Sequence, residues 1–507
     1  MAKFSILKVL SNIVLAVLKI LISQIIAVLV APPTILIYIF NHLIVRSCLK
    51  IYLQVRFGGK LKLVDDSGDA MFGYKSEGNN RNILIALECK KVQQFQNRKD
   101  QATKFLNLKV GNMKPYEKLR WIFTKHAGYF CWKYDDNFNL DNHLIELSPD
   151  HMINNEQLIQ IVEGYSRDMS AEHPQWQFLF VPSYTNEDGQ DLSAIVIRFH
   201  HGILDGLSFV TFVSHCLGAI APDSDDEPFT KACPETFPYV LNPLKFFIPL
   251  KYRILYNINC LLFGFYHLLQ TLLSDKKHWN VTEKYPGKSK SYAFSEKIQS
   301  DTLKVIRDGC RVSVPSILAC SFANALENTV GSRLPSTELL VGHSLAIMPY
   351  PDAYFHNRFT LMTVPFKRSN VKTRVKKLKE YHSQSVQAMK GPEYSLYYWF
   401  FQFYGKLPAA LFQYPLKKPR FSFLLNNLPF AKKEVTVWNQ RTLKVIGWPP
   451  YTTDAGIGIT SVGYCDGIRV GGTADSSWLT KDELKNALKE MVNEINLLAR
   501  ECSLHAV

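Results

Sequence analysis

The chain has 507 residues, too many for a single hydrophobic core and enough for two domains with an appendage. Its formal net charge of +15 fits nucleic acid, an anionic membrane surface or a phosphate-bearing substrate such as coenzyme A. No zinc-finger spacing, RNA-recognition motif or basic low-complexity arm accompanies this charge, so no nucleic-acid partner is expected. Hydrophobic residues (47%) and aromatic residues (13%) are concentrated in a few blocks, which indicates membrane contact.

The first block is an almost unbroken apolar stretch from Val9 to Val45, interrupted mainly by Lys19, His42 and the Pro32-Pro33 pair. It is longer than the roughly 20 residues that span a bilayer, and longer than the apolar region of a cleaved signal peptide. Residues 1–61 are therefore predicted to be a retained membrane anchor with a basic flank. The double proline leaves two alternatives, one kinked span or a re-entrant hairpin.

A basic segment follows the anchor: Arg46, Lys50, Arg56, Lys60 and Lys62. By the positive-inside tendency this segment places the body in the cytosol. The ten cysteines are scattered without a Cys-x-x-Cys pair, which is typical of reduced thiols and agrees with that side of the membrane. The predicted location is the endoplasmic reticulum membrane, with lipid droplets as an alternative.

Residues 62–235 form the predicted first half of the body, with mixed strands and helices. A strand is predicted over 82–88, and apolar residues at helical spacing predict a helix over 156–168. The apolar run 194–197 predicts a second strand, and 207–220 a buried helix.

Residues 236–288 are a hydrophobic crossover between the halves. A single membrane crossing there would put the two halves on opposite sides of the bilayer, which is impossible if both build one active site. Polar residues within the apolar run 254–273 also disfavour a lipid-exposed span. The alternatives are a helix in the membrane plane and a crossover packed on the protein.

Residues 289–507 form the predicted second half. A helix is expected over 315–329, with Pro315 in its first turn. A final amphipathic helix over 481–500 follows Thr480 as N-cap. The strands are predicted at 338–341, 360–365, 421–425 and 456–464.

The strongest chemical signal is the motif His-His-x-x-x-Asp-Gly at residues 200–206, directly after a predicted strand. This order places an imidazole at a strand end, where a general base can face a cavity, so His201 is the predicted base. His200 is expected to pack or orient the motif. Asp205 is expected to pair with an arginine and brace the turn. Gly206 is expected to permit close backbone approach and to offer an N–H to an oxyanion.

At these residues the sequence resembles the wax ester synthase/diacylglycerol acyltransferase family, within the coenzyme A-dependent acyltransferases that share this motif. Order and spacing agree from about Asp69 to Leu498. The other matching segments are Asp69-Ala70-Met71-Phe72, Asn139–Leu144, Pro174-Gln175-Trp176, His356-Asn357, Asn427-Leu428-Pro429, Tyr464 and Asp475. The departures are Gln175 in place of leucine, His356 and Phe430 in place of glycine, and Val314-Pro315-Ser316 in place of an Asn-Asp pair.

The resemblance implies an α/β (α+β) fold of two chloramphenicol-acetyltransferase-like domains, with a tunnel between them and His201 near its centre. It implies acyl-CoA as co-substrate, a long-chain alcohol or diacylglycerol as acceptor, and neither a bound cofactor nor a metal. It also assigns Trp176, Asn357 and Asn427 to substrate binding; the alternative for Asn427 is a turn before Pro429. An acceptor of another type, such as a sterol or an amine, and a non-enzymatic lipid-binding protein are the competing functions.

Two further segments have open roles. The basic run from Lys367 to Lys379 fits coenzyme A phosphates or lipid headgroups, or else is a solvated helix face. The aromatic residues from Tyr394 to Tyr404, followed by 407–412, fit an acyl channel, a membrane interface or ordinary core packing. The oligomeric state is left open.

Overall fold

The computed structural model describes residues 2–73, 81–91, 95, 98–109, 114–147, 152–219, 250–273, 289–334, 338–347, 355–368, 373–391, 393–412, 421–438, 440–450 and 456–504. The helices are α1 (Ala2–Ile39), α2 (Arg46–Phe57), α3 (Ser67–Met71), α4 (Arg98–Asn107), α5 (Asn155–Tyr165), α6 (Gly206–Phe212), α7 (Leu250–Leu273), α8 (Ser300–Cys310), α9 (Val314–Val330), α10 (Arg374–Lys390), α11 (Glu393–Tyr404), α12 (Ala409–Phe412) and α13 (Lys481–Leu504).

The strands are β1 (Leu61–Leu63), β2 (Asn82–Lys90), β3 (Trp121–His126), β4 (Tyr129–Tyr134), β5 (Leu144–Glu146), β6 (Trp176–Thr185), β7 (Asp191–His200), β8 (Gly218–Ala219), β9 (Lys290–Phe294), β10 (Ile298–Gln299), β11 (Glu338–Ala346), β12 (Phe359–Lys367), β13 (Phe423–Ala431), β14 (Thr436–Val437), β15 (Gln440–Trp448), β16 (Ile457–Tyr464) and β17 (Gly467–Asp475).

The N-terminal segment is one helical run. Helix α1 contains Pro32 and Pro33 and passes through a π-helical turn at Phe40–Val45 into α2. The chain therefore does not reverse at the prolines, and the re-entrant hairpin is wrong. Among the described residues, Ser11–Phe57 is long and apolar enough to cross a membrane by length and composition. Arg46 ties this run to the body, because its Nη2 donates to the carbonyl oxygen of Val64 at 2.9 Å.

The first half is built on a seven-stranded sheet in the order β5-β6-β7-β2-β15-β14-β8. The long central strands β6, β7 and β2 are antiparallel, with Asn82 opposite His200. Strand β15 was not predicted from the sequence. It falls within residues 289–507, the predicted second half, but it pairs with β2 and so belongs to this sheet. This strand exchange locks the halves together, a feature absent from the two-part division expected from the sequence. A small sheet, β1-β4-β3, lies beside the anchor.

The second half has its own sheet in the order β10-β17-β16-β13-β11-β12, with β9 added on β17. Helices α8, α9 and α13 bury their apolar residues with this sheet in one core. The strands expected at 338–341, 360–365, 421–425 and 456–464 are present as β11, β12, β13 and β16, with longer bounds for the first three. The helix expected over 207–220 ends at Phe212 and gives way to a π turn and β8.

The hydrophobic crossover is described only over α7, which packs on α1 and α11. Gln24 Nε2 on α1 donates to the carbonyl oxygen of Leu261 at 3.0 Å, and the Ser23 Oγ lies 3.4 Å from the backbone nitrogen of Tyr266. Over its described part, the crossover thus packs on the protein through one face and exposes aliphatic side chains on another, so it combines features of both alternatives. The rest of 236–288, before and after α7, lies outside the described residues.

Candidate active site

The motif occupies a strand-turn-helix junction, as its pattern predicts. Strand β7 ends at His200, and a turn over residues 201–203 leads to Asp205, which caps α6. The Asp205 Oδ1 accepts a hydrogen bond from the backbone N–H of Ser208 at 2.9 Å. The His201 backbone N–H donates to the carbonyl oxygen of Arg81 at 2.7 Å, and this bond holds His201 just beyond the end of β7.

Asn357 determines the orientation of the His201 ring. Its Nδ2 donates to Asp69 Oδ1 at 3.0 Å and to the His201 carbonyl oxygen at 2.6 Å, and the amide oxygen therefore faces His201. His201 Nδ1 lies 2.7 Å from that oxygen and must carry the proton that it donates. In a neutral imidazole this leaves Nε2 with a free lone pair, which is the form able to accept a proton.

A buried hydrogen-bonded contact between Asp69 and Lys118 supports Asn357 on the side away from His201. Asp69 is buried, and its second carboxylate oxygen accepts a hydrogen bond from Lys118 Nζ. Burial raises the pKa of Asp69 to about 8, although the Lys118 ammonium opposes this rise. Lys118 Nζ also donates to the carbonyl oxygen of Phe355 at 2.6 Å, two residues before Asn357. One hydrogen-bonded chain thus runs from Lys118 through Asp69 and Asn357 to His201.

Aromatic rings enclose the imidazole. Phe72 stacks on His201 with ring centroids 3.6 Å apart and planes 14° apart, and Phe359 lies 6.1 Å away. His201 itself is partly exposed. Burial among these groups lowers the pKa of His201 to about 4, although the hydrogen bond to Asn357 opposes the fall. The ring is therefore neutral at physiological pH.

His200 has a different environment. Its Nδ1 accepts a hydrogen bond from the Gly202 backbone N–H at 3.1 Å, and its ring stacks on Phe123 at 5.3 Å. Burial holds its pKa well below the usual range, and Arg81 lowers it further. Gln175 supports this arrangement. Its side-chain amide accepts from the backbone N–H of Phe123 and donates to the Phe123 carbonyl oxygen. Its backbone carbonyl oxygen accepts from the backbone N–H of His200 at 2.9 Å. These contacts agree with a packing and orienting role for His200.

Asp205 and Gly206 join the two halves. The Asp205 Oδ2 accepts a hydrogen bond from the backbone N–H of Arg358 at 2.9 Å, and its own N–H donates to the carbonyl oxygen of His356 at 3.0 Å. A Cβ at Gly206 would lie 3.2 Å from Leu428 Cδ1, so glycine permits the close approach of β13. Asp205 thus braces the turn through backbone groups of the second half.

Two residues assigned to substrate binding have other positions. Trp176 is 0% exposed, and its Nε1 donates to the carbonyl oxygen of Leu119 at 2.8 Å, so its place is in the core and the assignment is corrected. Asn427 lies within β13, which excludes the turn alternative. Leu428 of β13 contacts Gly206 and therefore faces the half that bears His201. Successive side chains of a strand alternate between its two faces, so Asn426 shares the face of Leu428 and Asn427 lies on the opposite face.

The third such residue, Asn357, is brought to the site, but it contacts His201 and Asp69 and orients the ring. Sequence reasoning missed Lys118 and the role of Asp69. Asp69 stood in a segment matched to the family, yet no local pattern linked it to Asn357, which is 288 residues away. Lys118 carried no recognisable signal in the sequence.

Three of the seven cations in the basic run from Lys367 to Lys379 form ion pairs within the second half. Arg368 and Lys377 pair with Glu327 at 3.2 Å, and Arg374 pairs with Glu494 at 3.1 Å. These ion pairs occupy three of the cations offered for coenzyme A phosphates, and they favour the helix-face interpretation. Lys372 lies outside the described residues.

Comparison with known proteins identifies the family. The wax ester synthase/diacylglycerol acyltransferase catalytic domain matches residues 67–241, and the C-terminal domain of the same family matches residues 356–496. Together these matches cover more than half of the chain. Comparison with curated protein sequences gave no significant match.

Solved structures share the fold. The chain is similar to a wax ester synthase/diacylglycerol acyltransferase from Marinobacter aquaeolei VT8, with 15% identity, a TM-score of 0.55 and coverage of 85% of this chain and 98% of that one. It is similar to a starter condensation domain of rhizomide synthetase in complex with C8-CoA, with 10% identity, a TM-score of 0.57 and coverage of 89% and 97%.

A third similar structure is the trichothecene 15-O-acetyltransferase from Fusarium sporotrichioides, with 10% identity, a TM-score of 0.55 and coverage of 87% of this chain and 95% of that one. The shared architecture is a mixed α/β fold of two domains, as expected from the sequence. With both family domains matched in order along the chain, this protein belongs to the wax ester synthase/diacylglycerol acyltransferase family and is an acyltransferase.

Proposed function

We propose that this protein transfers a fatty acyl group from acyl-CoA to the hydroxyl of a long-chain alcohol or diacylglycerol, with His201 as the general base. The products are wax ester, triacylglycerol or both, and free coenzyme A. The observation that carries this proposal is the Nδ1 contact of His201 with Asn357 Oδ1, at 2.7 Å, because it leaves Nε2 as the proton acceptor.

In the proposed reaction, His201 Nε2 removes the hydroxyl proton while the acceptor oxygen attacks the thioester carbonyl. The tetrahedral intermediate collapses, the carbon–sulfur bond breaks, and the imidazolium returns its proton to the coenzyme A thiolate. Asn357 holds the ring through both proton transfers. We place both substrates between the two halves, since His201 contacts Asn357 and Phe359 of the second half.

The test is acyl transfer from labelled palmitoyl-CoA by the full-length protein, with hexadecanol, diacylglycerol, a sterol and an amine offered as acceptors in parallel. Label in wax ester or triacylglycerol supports the proposal. Label confined to the sterol or amine product assigns another acceptor. Lipid binding without product from any acceptor favours a lipid-binding protein and contradicts the proposal.

The pH dependence tests the state of His201. Since only the neutral ring accepts a proton and burial lowers its pKa to about 4, kcat/KM is expected to stay level down to about pH 5 and to fall as the pH passes through 4. Asn357→Asp places a carboxylate beside Nδ1, favours the imidazolium and moves this acid limb upward by about one pH unit or more.

Stability must be followed in the same pH series. A lowered His pKa in the folded state means that the unfolded chain binds more protons below pH 6.5, so stability falls as the pH drops toward 4. Circular dichroism at each pH separates unfolding from protonation of the base. An acid limb near 6.5 in the folded wild type would contradict the assignment of a buried neutral base.

We further propose that α1 anchors the protein in the endoplasmic reticulum membrane with the body in the cytosol, and in the monolayer of lipid droplets as the alternative. The support is the reversed polarity of the helix. Along the helical run from α1 into α2, the buried side chains include Ser23 on α1, Asn41 in the π-helical turn and Arg46 on α2. The aliphatic side chains of α1 face outward, among them Ile25 (59% exposed) and Val28 (72% exposed). A helix that turns its apolar side chains away from the protein suits lipid as its solvent.

The anchor is tested by the double substitution Ile25→Arg and Val28→Arg. Each arginine at the centre of a membrane helix costs about 2.5–3.5 kcal/mol, so the variant is expected to move from the alkali-resistant membrane pellet to the soluble or extractable fraction. Val305→Arg, at an exposed position on α8, is the matched control and should remain in the pellet. Equal retention of all three proteins would contradict a lipid-embedded α1.

A further inference from the structure

One flank of helix α11 packs against α1 and α7, the helices whose exposed aliphatic side chains are proposed to face lipid. The backbone N–H of Ser395 donates to Tyr256 Oη on α7 at 3.1 Å, and Leu396 covers Gly264, where a Cβ would lie 3.4 Å from Leu396 Cδ2. Helix α1 also contacts α11, since the rings of Tyr38 on α1 and Phe403 on α11 are 5.6 Å apart. Helix α7 exposes a row of aliphatic side chains beside this contact, namely Ile254, Leu255, Ile258 and Leu261.

The opposite flank of α11 faces the candidate active site. Tyr397 and Phe401, one helical turn apart, are buried and their rings are 6.2 Å apart. The Phe401 ring lies 5.8 Å from Phe359, which lies 6.1 Å from His201. Two successive ring contacts thus connect the helix to the imidazole, and α11 lies between the lipid-facing surface and the proposed base.

Trp399 extends the apolar surface of α7 onto α11. It is 66% exposed, and it follows Leu396 by three residues, which places it on the flank that contacts α7. An exposed tryptophan beside a row of exposed aliphatic side chains is typical of a protein surface at the membrane–water interface.

We propose that α11 forms the route by which the lipid acceptor passes from the bilayer to His201. Trp399 rests in the interface, and the acceptor's hydrocarbon chain passes Tyr397, Phe401 and Phe359. The route is apolar along its named contacts, so it suits a neutral hydroxyl lipid and excludes the charged coenzyme A moiety. This inference rests on the proposed function and adds to it the path and the residues that determine acceptor size.

The first experiment separates access from chemistry. Full-length Trp399→Glu is assayed with palmitoyl-CoA and hexadecanol in phosphatidylcholine vesicles, and with octanol in detergent solution. A carboxylate at the interface is expected to lower the vesicle rate about tenfold and to leave the octanol rate within about twofold of wild type. Val305→Glu on α8 is the matched control and should change neither rate.

The second experiment tests acceptor size. Phe401→Ala and the more conservative Phe401→Leu widen the route, so the ratio of kcat/KM for diacylglycerol over hexadecanol should rise about fivefold or more, with the larger change for alanine. Using both variants keeps the test valid if the alanine protein does not fold. An unchanged ratio in folded Phe401→Leu, or an equal loss of both rates in Trp399→Glu, would overturn the inference.

Wild-type controls distinguish this failure from failure of the proposed function. If wild type forms neither ester from any hydroxyl acceptor, the proposed function is wrong. If wild type forms ester and Trp399→Glu retains the full vesicle rate, the proposed function stands and the route along α11 is wrong.

Discussion

Replacing His201 by glutamine is expected to lower kcat for acyl transfer by about 10²–10⁴-fold, the usual contribution of a positioned general base. Glutamine is close in size to histidine and its amide reaches the position of Nε2, but it has no group that accepts the hydroxyl proton. The measurement is transfer of labelled palmitoyl-CoA to hexadecanol and diacylglycerol by equal amounts of folded protein, resolved by product.

Two controls make this result specific. His173→Gln replaces a partly exposed histidine whose Nδ1 lies 3.4 Å from Asp135 Oδ2. Asp135 is not among the groups that contact His201, so this variant should retain the wild-type rate. The thermal midpoint of His201→Gln should fall by no more than about 2–4 °C, because the neutral ring contributes one hydrogen bond, to Asn357, and one stacking contact, with Phe72. A normal rate in folded His201→Gln would remove the base from the mechanism.

Replacing Asp205 by alanine is expected to lower the free energy of unfolding by about 2–4 kcal/mol, and to reduce activity with it. The substitution removes the N-cap of α6 and the acceptor for the Arg358 backbone N–H. Because Arg358 directly follows Asn357, the loss of this contact also loosens the residue that orients His201. Urea unfolding and the acyl-transfer rate measure the two effects.

Asn154→Ala is the matched control for this prediction. Asn154 caps α5 in the same way, with its side chain accepting from the Gln157 N–H at 3.0 Å, but it has no part in the contacts around His201. It should cost about 1 kcal/mol and leave the rate unchanged. If Asp205→Ala behaved like Asn154→Ala, with a small loss of stability and full activity, the proposed clamp between the halves would be wrong.

The sequence by itself determined the local elements of this protein. The sequence predicted a strand over 82–88, and β2 is there. Helical apolar spacing predicted α5, a first-turn proline predicted α9, and amphipathic spacing after Thr480 predicted α13. The motif at residues 200–206, placed between a predicted strand and a predicted helix, predicted the strand-turn-helix junction. The breadth of the family resemblance predicted the two-domain fold and the acyltransferase class.

The tertiary structure decided which residues meet. Asn357 and His201 are 156 residues apart, and Asp69 and Lys118 complete their chain from two further segments. Local patterns do not encode such contacts, because they depend on how whole strands pair. The same reason explains the errors: Trp176 is drawn into the core, β15 crosses into the first sheet, and strand alternation turns Asn427 away. Burial, which also sets the low pKa of His201, exists only after these segments have assembled.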